Sequence, residues 1–186
     1  MARYLLVSGS PRDGNTEYVM RRLHAALGGA SELVLLRKLK IGRCTGCLAC
    51  EGTGKCPIED DMQGLYRKME KAAVLVIATP NYFDNVSGLL KDFIDRCNAF
   101  YNSGRIKGKK AVFIVVGGGS AGDSRRVVGQ ALRYFANGVG LDVAGSFIFT
   151  GTDRAGVRNT AGAREKIEAI AMKIRSLIKN DAPAGI

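Results

Sequence analysis

Cys44, Cys47, Cys50 and Cys56 fall within thirteen residues, in the stretch CTGCLACEGTGKC. Thiolates two residues apart on a tight loop, with a fourth just past a Gly-rich hinge, can meet on one compact inorganic core without ligands from distant chain. A cubane iron-sulfur cluster is the chemistry this pattern suggests first, and three other readings stay open. A structural zinc usually takes two CxxC pairs set further apart, so that its tetrahedral ligands arrive from two sides. Disulfides need an oxidising compartment, and the opening MARYLLVSGS lacks the charged segment, apolar stretch and small-residue cleavage site of a secretory leader. The last reading is a set of reduced, partly buried thiols that hold no metal. Pro57 after Cys56 matches the Cys-Pro ending of ferredoxin runs, although the five residues before Cys56 make the final gap longer than theirs. Cys97 stands alone in a helical pattern and reads as core.

Three other stretches carry chemistry. Gly9-Ser10-Pro11-Arg12-Asp13-Gly14-Asn15-Thr16 offers hydroxyls, an amide and a guanidinium where a helix begins, and its glycines let backbone N–H groups face an anion. The lysine of a Walker loop is missing, and the short gap leaves little room for a pyrophosphate, so a terminal monophosphate such as that of FMN fits better than ATP. An ordinary strand-to-helix turn would explain the Ser, Asn and Thr but not Arg12 beside them. Thr79-Pro80-Asn81-Tyr82-Phe83-Asp84-Asn85 sets two aromatics and two amides where a planar ring would lie, although aromatics after a strand more often serve as core or lid. Gly117-Gly118-Gly119-Ser120-Ala121-Gly122 matches GxGxxG. A dinucleotide fingerprint belongs on the first strand-to-helix turn of a larger unit, so this run reads as a permissive loop closing on a ring.

The elements that must position these loops follow from hydrophobic patterning. Nearly continuous apolar runs mark strands near Tyr4 to Ser8, Glu32 to Leu36, Val74 to Thr79, Val112 to Val116 and Val143 to Phe149. Continuous rather than alternating hydrophobicity implies burial on both faces, as in a parallel sheet. Helical periodicity covers Thr16 to Leu27, Asp61 to Lys71, Ser87 to Phe100, Ser124 to Gly138 and Thr160 to Ile178, with Asp60, Ser87 and Thr160 as caps. Five strand-helix units predict one doubly wound α/β domain over 1–180, with a cysteine-rich loop at 41–60 and a frayed tail at 181–186. In such a sheet ligands sit at the carboxyl ends of the strands, so the loops after strands one, three and four hold the chemistry.

Composition fits that domain. At 186 residues and 46% hydrophobic content the chain suits one globular core, and its longest apolar run, Ala72 to Ala78, is strand-sized rather than membrane-spanning. A cytoplasmic location is expected. The formal charge of +11 is spread in small groups, Arg37, Lys38, Lys40 and Arg43, then Arg105, Lys107, Lys109 and Lys110, then Arg164, Lys166, Lys173, Arg175 and Lys179. None is interleaved with stacking aromatics, so nucleic acid is not an expected partner; these read as solvated faces, with steering of anionic cofactors or an acidic electron carrier as the functional alternative. Lys91, Asp92, Asp95 and Arg96 read as helix-surface pairs, with a subunit interface as the alternative. The lone His24 supports no Ser-His-Asp or Cys-His arrangement, which argues against hydrolytic catalysis.

GSPRDGNT after strand one, PNYFDNVSGLLKDFIDR after strand three and the tight cysteine loop after strand two together resemble the iron-sulfur flavoproteins, within the flavodoxin-like family of NAD(P)H-dependent FMN reductases. The resemblance runs from about Arg3 to Phe149. It implies a three-layer flavodoxin-like fold, a five-stranded parallel sheet of order 2-1-3-4-5, and bound FMN. It further implies that Ser10, Arg12, Asn15 and Thr16 hold the phosphate, that Pro80, Asn81, Tyr82 and Phe83 border the ring, and that Gly117, Gly118 and Gly119 supply the third loop. Cys44, Cys47, Cys50 and Cys56 match the family's compact cysteine motif. Members assemble as homodimers or homotetramers with a cluster near a neighbouring subunit's flavin, while many relatives keep similar cysteines and are described simply as FMN reductases. Three functions follow as expectations. The first is a 4Fe-4S and FMN protein passing electrons from ferredoxin or NAD(P)H to a small acceptor; the others are a cluster-free NAD(P)H-dependent FMN or quinone reductase and a non-enzymatic flavin-binding redox sensor.

Overall fold

The structure, a computed structural model, describes residues 2–152 and 156–179; the expected tail at 181–186 lies outside them. Five strands, β1 (Tyr4–Ser8), β2 (Ser31–Leu35), β3 (Val74–Pro80), β4 (Lys110–Val116) and β5 (Asp142–Phe149), form one parallel sheet of order β2-β1-β3-β4-β5. Alternate residues of each strand serve opposite faces. Leu5, Val7, Leu75, Ile77, Phe113 and Val115 belong to one core and Leu6, Val74, Val76, Val112 and Ile114 to the other, which is why the strands read as unbroken apolar runs.

Helix α1 (Asn15–Leu27) and helix α6 (Ala163–Lys179) cover one face. Their buried stripes, Val19, Met20, Leu23 and Leu27 on α1 and Ile167, Ile170, Ala171, Ile174 and Ile178 on α6, keep helical spacing. The other face is covered by α2 (Met62–Lys71), α3 (Gly88–Arg96) and α5 (Val128–Val139), with the short α4 (Ala121–Arg126) ahead of α5. Among the described residues, no helix is long and apolar enough to cross a membrane.

Several boundaries differ from expectation for local reasons. Ser31 opens β2 opposite Tyr4, and Leu36 leaves the sheet in a 3-10 turn while staying fully buried. The helix expected over Ser124 to Gly138 is two helices, because the Ser120 hydroxyl accepts the Asp123 N–H at 3.1 Å and starts a turn earlier, and the chain breaks at Val127. Ser87 caps α3 as expected, accepting the Leu90 N–H at 3.1 Å, but the helix gives way to a 3-10 turn at Cys97–Phe100. Asp60 accepts the Met62 N–H at 2.9 Å and so assists the start of α2. Thr160 is not the cap of α6, which begins three residues later.

Candidate functional site

Three loops meet at the carboxyl ends of β1, β3 and β4. The first leaves β1 through Gly9, where an added Cβ would lie 2.6 Å from the Leu90 Cβ, so the first turn of α3 packs directly on this backbone. Ser87 ties the same point by donating its hydroxyl to the Gly9 carbonyl at 2.5 Å. Beyond it, the Ser10 hydroxyl donates to the Arg12 carbonyl at 2.7 Å and shapes the turn. Gly14 occupies the cap position of α1 and contributes no side-chain cap, so the first-turn N–H groups receive no side-chain acceptor from it.

That hollow, about 170 Å³, is lined from the first loop by Ser10, Arg12, Asn15 and Thr16, from the second by Pro80, Asn81 and Tyr82, and from the third by Gly117 and Gly118. The second and third loops touch closely, since a Cβ on Gly117 would meet the Asn81 Cβ at 2.8 Å. Asn81 is fixed by its amide nitrogen, which donates to Ser124 Oγ at 3.0 Å and Asp84 Oδ1 at 3.2 Å, while its Oδ1 is buried without a partner. A lone buried acceptor, an exposed guanidinium and a helix N-terminus without a side-chain cap form a donor and acceptor set that fits a phosphorylated planar ligand such as FMN.

Two expected residues stand apart from this lining. Phe83 and Asp84 both have positive φ, 49° and 52°, and this pair of left-handed residues turns the Phe83 ring fully into solvent. Gly119 lies further along its loop. Asn15 lines the hollow, yet its amide has other work: Oδ1 accepts the Val157 N–H at 3.1 Å and Nδ2 donates to the Thr152 carbonyl. Thr152 and Val116 also line the hollow and were not foreseen; the signal for Thr152 was its place just past the carboxyl end of β5.

The cysteine loop is a second centre. Cys44 and Cys47 are exposed, Cys50 and Cys56 half-buried, and Cys97 is buried in the core as expected. All four loop cysteines line one hollow of about 30 Å³ with Arg96 and Asn98. The expected convergence is absent: among the described residues, no three His, Cys, Asp or Glu side chains are gathered as ligands for a metal ion. Gly46, Leu48 and Gly52, all with positive φ, put left-handed turns into the chain between successive thiols. The chemistry of the set nonetheless suits a thiolate-bound metal centre. Asn98 Nδ2 lies 3.3 Å from Cys50 Sγ as a donor, and a buried guanidinium stands alongside.

That guanidinium corrects the surface-pair reading. Lys91 does pair with Asp95 at 2.6 Å on the helix surface, but the Arg96 side chain is fully buried and meets Asp60 at 2.6 Å. Its position on the face of Leu90, Phe93 and Cys97 was the available signal. Burial works against the ionised Asp60, but bonds from Arg96, Gly42 and Met62 outweigh it and hold the carboxyl below its usual range. Burial raises the Tyr66 phenol and the Cys97 thiol well above their ordinary values.

A doubly wound sheet of this order, with its hollow at the first, third and fourth strand ends, defines a flavodoxin-like protein. The family described as NADPH-dependent FMN reductase matches residues 2–153. An iron-sulfur flavoprotein of Archaeoglobus fulgidus is 33% identical over 170 residues, covering 88% of this chain and 84% of its own. Another from Methanocaldococcus jannaschii is 32% identical over 133 residues, 69% of each chain. Among solved structures, a flavone reductase superposes with a TM-score of 0.67 at 21% identity over 94% of this chain, which spans 64% of that one. The Trp repressor binding protein from Bacillus subtilis gives 0.64 at 20% identity, over 89% of this chain and 95% of its own; both likenesses concern the fold. The chain belongs to the NADPH-dependent FMN reductase family and is a flavin-dependent oxidoreductase.

Proposed function

We propose that this oxidoreductase carries electrons between a reduced donor, ferredoxin or NAD(P)H, and a small-molecule acceptor, using FMN in the three-loop hollow and a 4Fe-4S cluster on Cys44, Cys47, Cys50 and Cys56. When bound, FMN accepts a hydride and returns electrons singly, and a cluster passes them one at a time. The chain's own part is to bind and orient. Arg12 and the N–H groups at the start of α1 serve the phosphate, with Ser10 shaping the turn that presents them. Asn15 acts by fixing Thr152 and Val157 beside the phosphate end, and Thr16 walls it. Pro80, Asn81, Tyr82, Gly117 and Gly118 would border the ring, and the unpartnered Asn81 Oδ1 would be available as an acceptor. Phe83 and Gly119 flank that border, Phe83 as an exposed cover. A homodimer or homotetramer is the expected assembly, and Arg43 and Lys55, exposed on the cysteine loop, would favour an acidic electron carrier.

The observation that carries the cluster is that four thiols rim one hollow with an N–H donor on Cys50. Their failure to converge favours the second reading, an NAD(P)H-dependent FMN or quinone reductase without iron. Iron, acid-labile sulfide and flavin per chain, measured on anaerobically purified protein, separate the two. About four irons and four sulfides with one FMN are expected; flavin without iron, after reconstitution as well, would move the protein to the second reading.

A further inference from the structure

Gly42 and Ile58 stand at the two ends of the loop that carries the four thiols, and both are held by one side chain. Arg96 donates through one terminal nitrogen to the Gly42 carbonyl at 2.8 Å and to Asp60 Oδ2 at 2.6 Å, and through the other to the Ile58 carbonyl at 3.2 Å and to Asp60 Oδ1 at 3.1 Å. Asp60 completes the knot by accepting the Gly42 N–H at 2.8 Å. The arginine is itself held in place, because the Tyr66 hydroxyl donates to its carbonyl at 2.6 Å inside the core. One donor is left over: Arg96 Nε is buried without a partner, and Arg96 lines the thiol-rimmed hollow. Two residues on, Asn98 presents its amide to Cys50 Sγ.

We infer that Arg96, paired with Asp60, is the positioning residue of the cysteine site: it closes the neck of the loop and holds Cys50 and Cys56 at the hollow before any metal arrives. A guanidinium suits this task because its planar fork serves a carboxylate and two carbonyls at once, which a lysine cannot do. The inference deepens the cluster reading and rests on it for its purpose, though not for its geometry.

Cysteine labelling tests it, since the chain carries its own control. The FMN-loaded full-length protein is treated with iodoacetamide under native conditions, as purified and after iron chelation, and labelling at each cysteine is followed by mass spectrometry. In Arg96→Lys, and separately in Asp60→Asn, the half-buried Cys50 and Cys56 should label at least about tenfold faster, as expected when a charged hydrogen bond no longer opposes local opening. Cys97, in the core, should keep its rate, and FMN should stay bound. Acceleration of Cys97 together with the others would overturn the inference, because the pair would then be a general core contact; unchanged rates at Cys50 and Cys56 would overturn it too. Asp60→Asn lies on the loop side of the pair and decides the matter if Arg96→Lys does not fold. Wild-type protein that takes up no iron on reconstitution would end the cluster reading, while the labelling pattern would still judge the clamp.

Discussion

Replacing Gly117 with alanine sets a methyl carbon 2.8 Å from the Asn81 Cβ, where ordinary contacts begin near 3.4 Å. One of the two loops must yield, and neither is free to do so. The Asn81 N–H donates to the Val116 carbonyl at 2.8 Å, and its side-chain amide is tied to Ser124 and Asp84. Forcing a methyl group into such a contact costs roughly 1–3 kcal/mol, and a strained or broken hydrogen bond adds about 1 kcal/mol. If half of that falls on the ligand-bound state, FMN affinity drops about tenfold, and the remainder lowers the melting temperature by several degrees. Gly119→Ala is the matched control, because its nearest neighbour is Asn81 Nδ2 at 3.9 Å and its backbone is not left-handed. It should move neither quantity by more than about 0.5 kcal/mol. Quenching of FMN fluorescence on titration, with thermal unfolding of both variants, makes the comparison. Equal effects at the two positions, or a Gly117→Ala protein that binds FMN like the wild type, would refute the assignment of this contact to the flavin site.

Other consequences are open to direct test. Arg12→Ala should weaken FMN binding by about 1.5–3 kcal/mol, one charge-assisted hydrogen bond, as read by equilibrium dialysis; an unchanged affinity would remove Arg12 from the phosphate site. Cys47→Ser should lose iron and keep flavin, and equal iron in that variant by metal analysis would point to another ligand set. Glu17, buried between α1 and the chain after β2, bonds Arg37 at 2.7 Å and Arg21 at 2.7 Å. The Arg37 bond outweighs burial and, with Arg21, holds the carboxyl below its usual value of 4.5. A depressed folded-state value means stability present above about pH 4.5 and lost as pH falls through the folded value, so the advantage of wild type over Glu17→Gln in denaturant titrations should shrink on acidification. An advantage constant from pH 7 to pH 3 would contradict that origin.

What the sequence made legible was whatever leaves a local signature. Strands buried on both faces write themselves as unbroken apolar runs, and Ser87 announced α3 because a cap acts on the residues just after it. The loops of the candidate site carried their signal in their residue types, and all of Ser10, Arg12, Asn15, Thr16, Pro80, Asn81, Tyr82, Gly117 and Gly118 line one hollow. What failed was long-range. Nothing near Asn15 reveals that its amide is spent on Thr152 and Val157, more than a hundred residues away. Arg96 sits among charges that pair on a helix surface, and only its partner Asp60, 36 residues back, makes its burial affordable. The outward turn of Phe83 was not legible, because it comes from backbone dihedrals and not from its aromatic character. Ser120 was a legible cap that broad helical periodicity concealed.

Helix α3 begins at Ser87, bonded to the Gly9 carbonyl and to Thr79 Oγ1, and ends at Arg96, bonded to the cysteine loop. Its backbone therefore acts as a ruler between the loops of the candidate site and the thiols, about 13.5 Å long at 1.5 Å per residue. Such a ruler has a coarse scale. One inserted residue would swing Arg96 by about 100° around the helix axis, off Asp60 and into the surface, whereas three or four would return it near its original bearing at a longer reach. Spacing between the two centres can change only in whole helical turns, so drift in this chain's length between Ser87 and Arg96 is barred even where the individual side chains tolerate exchange.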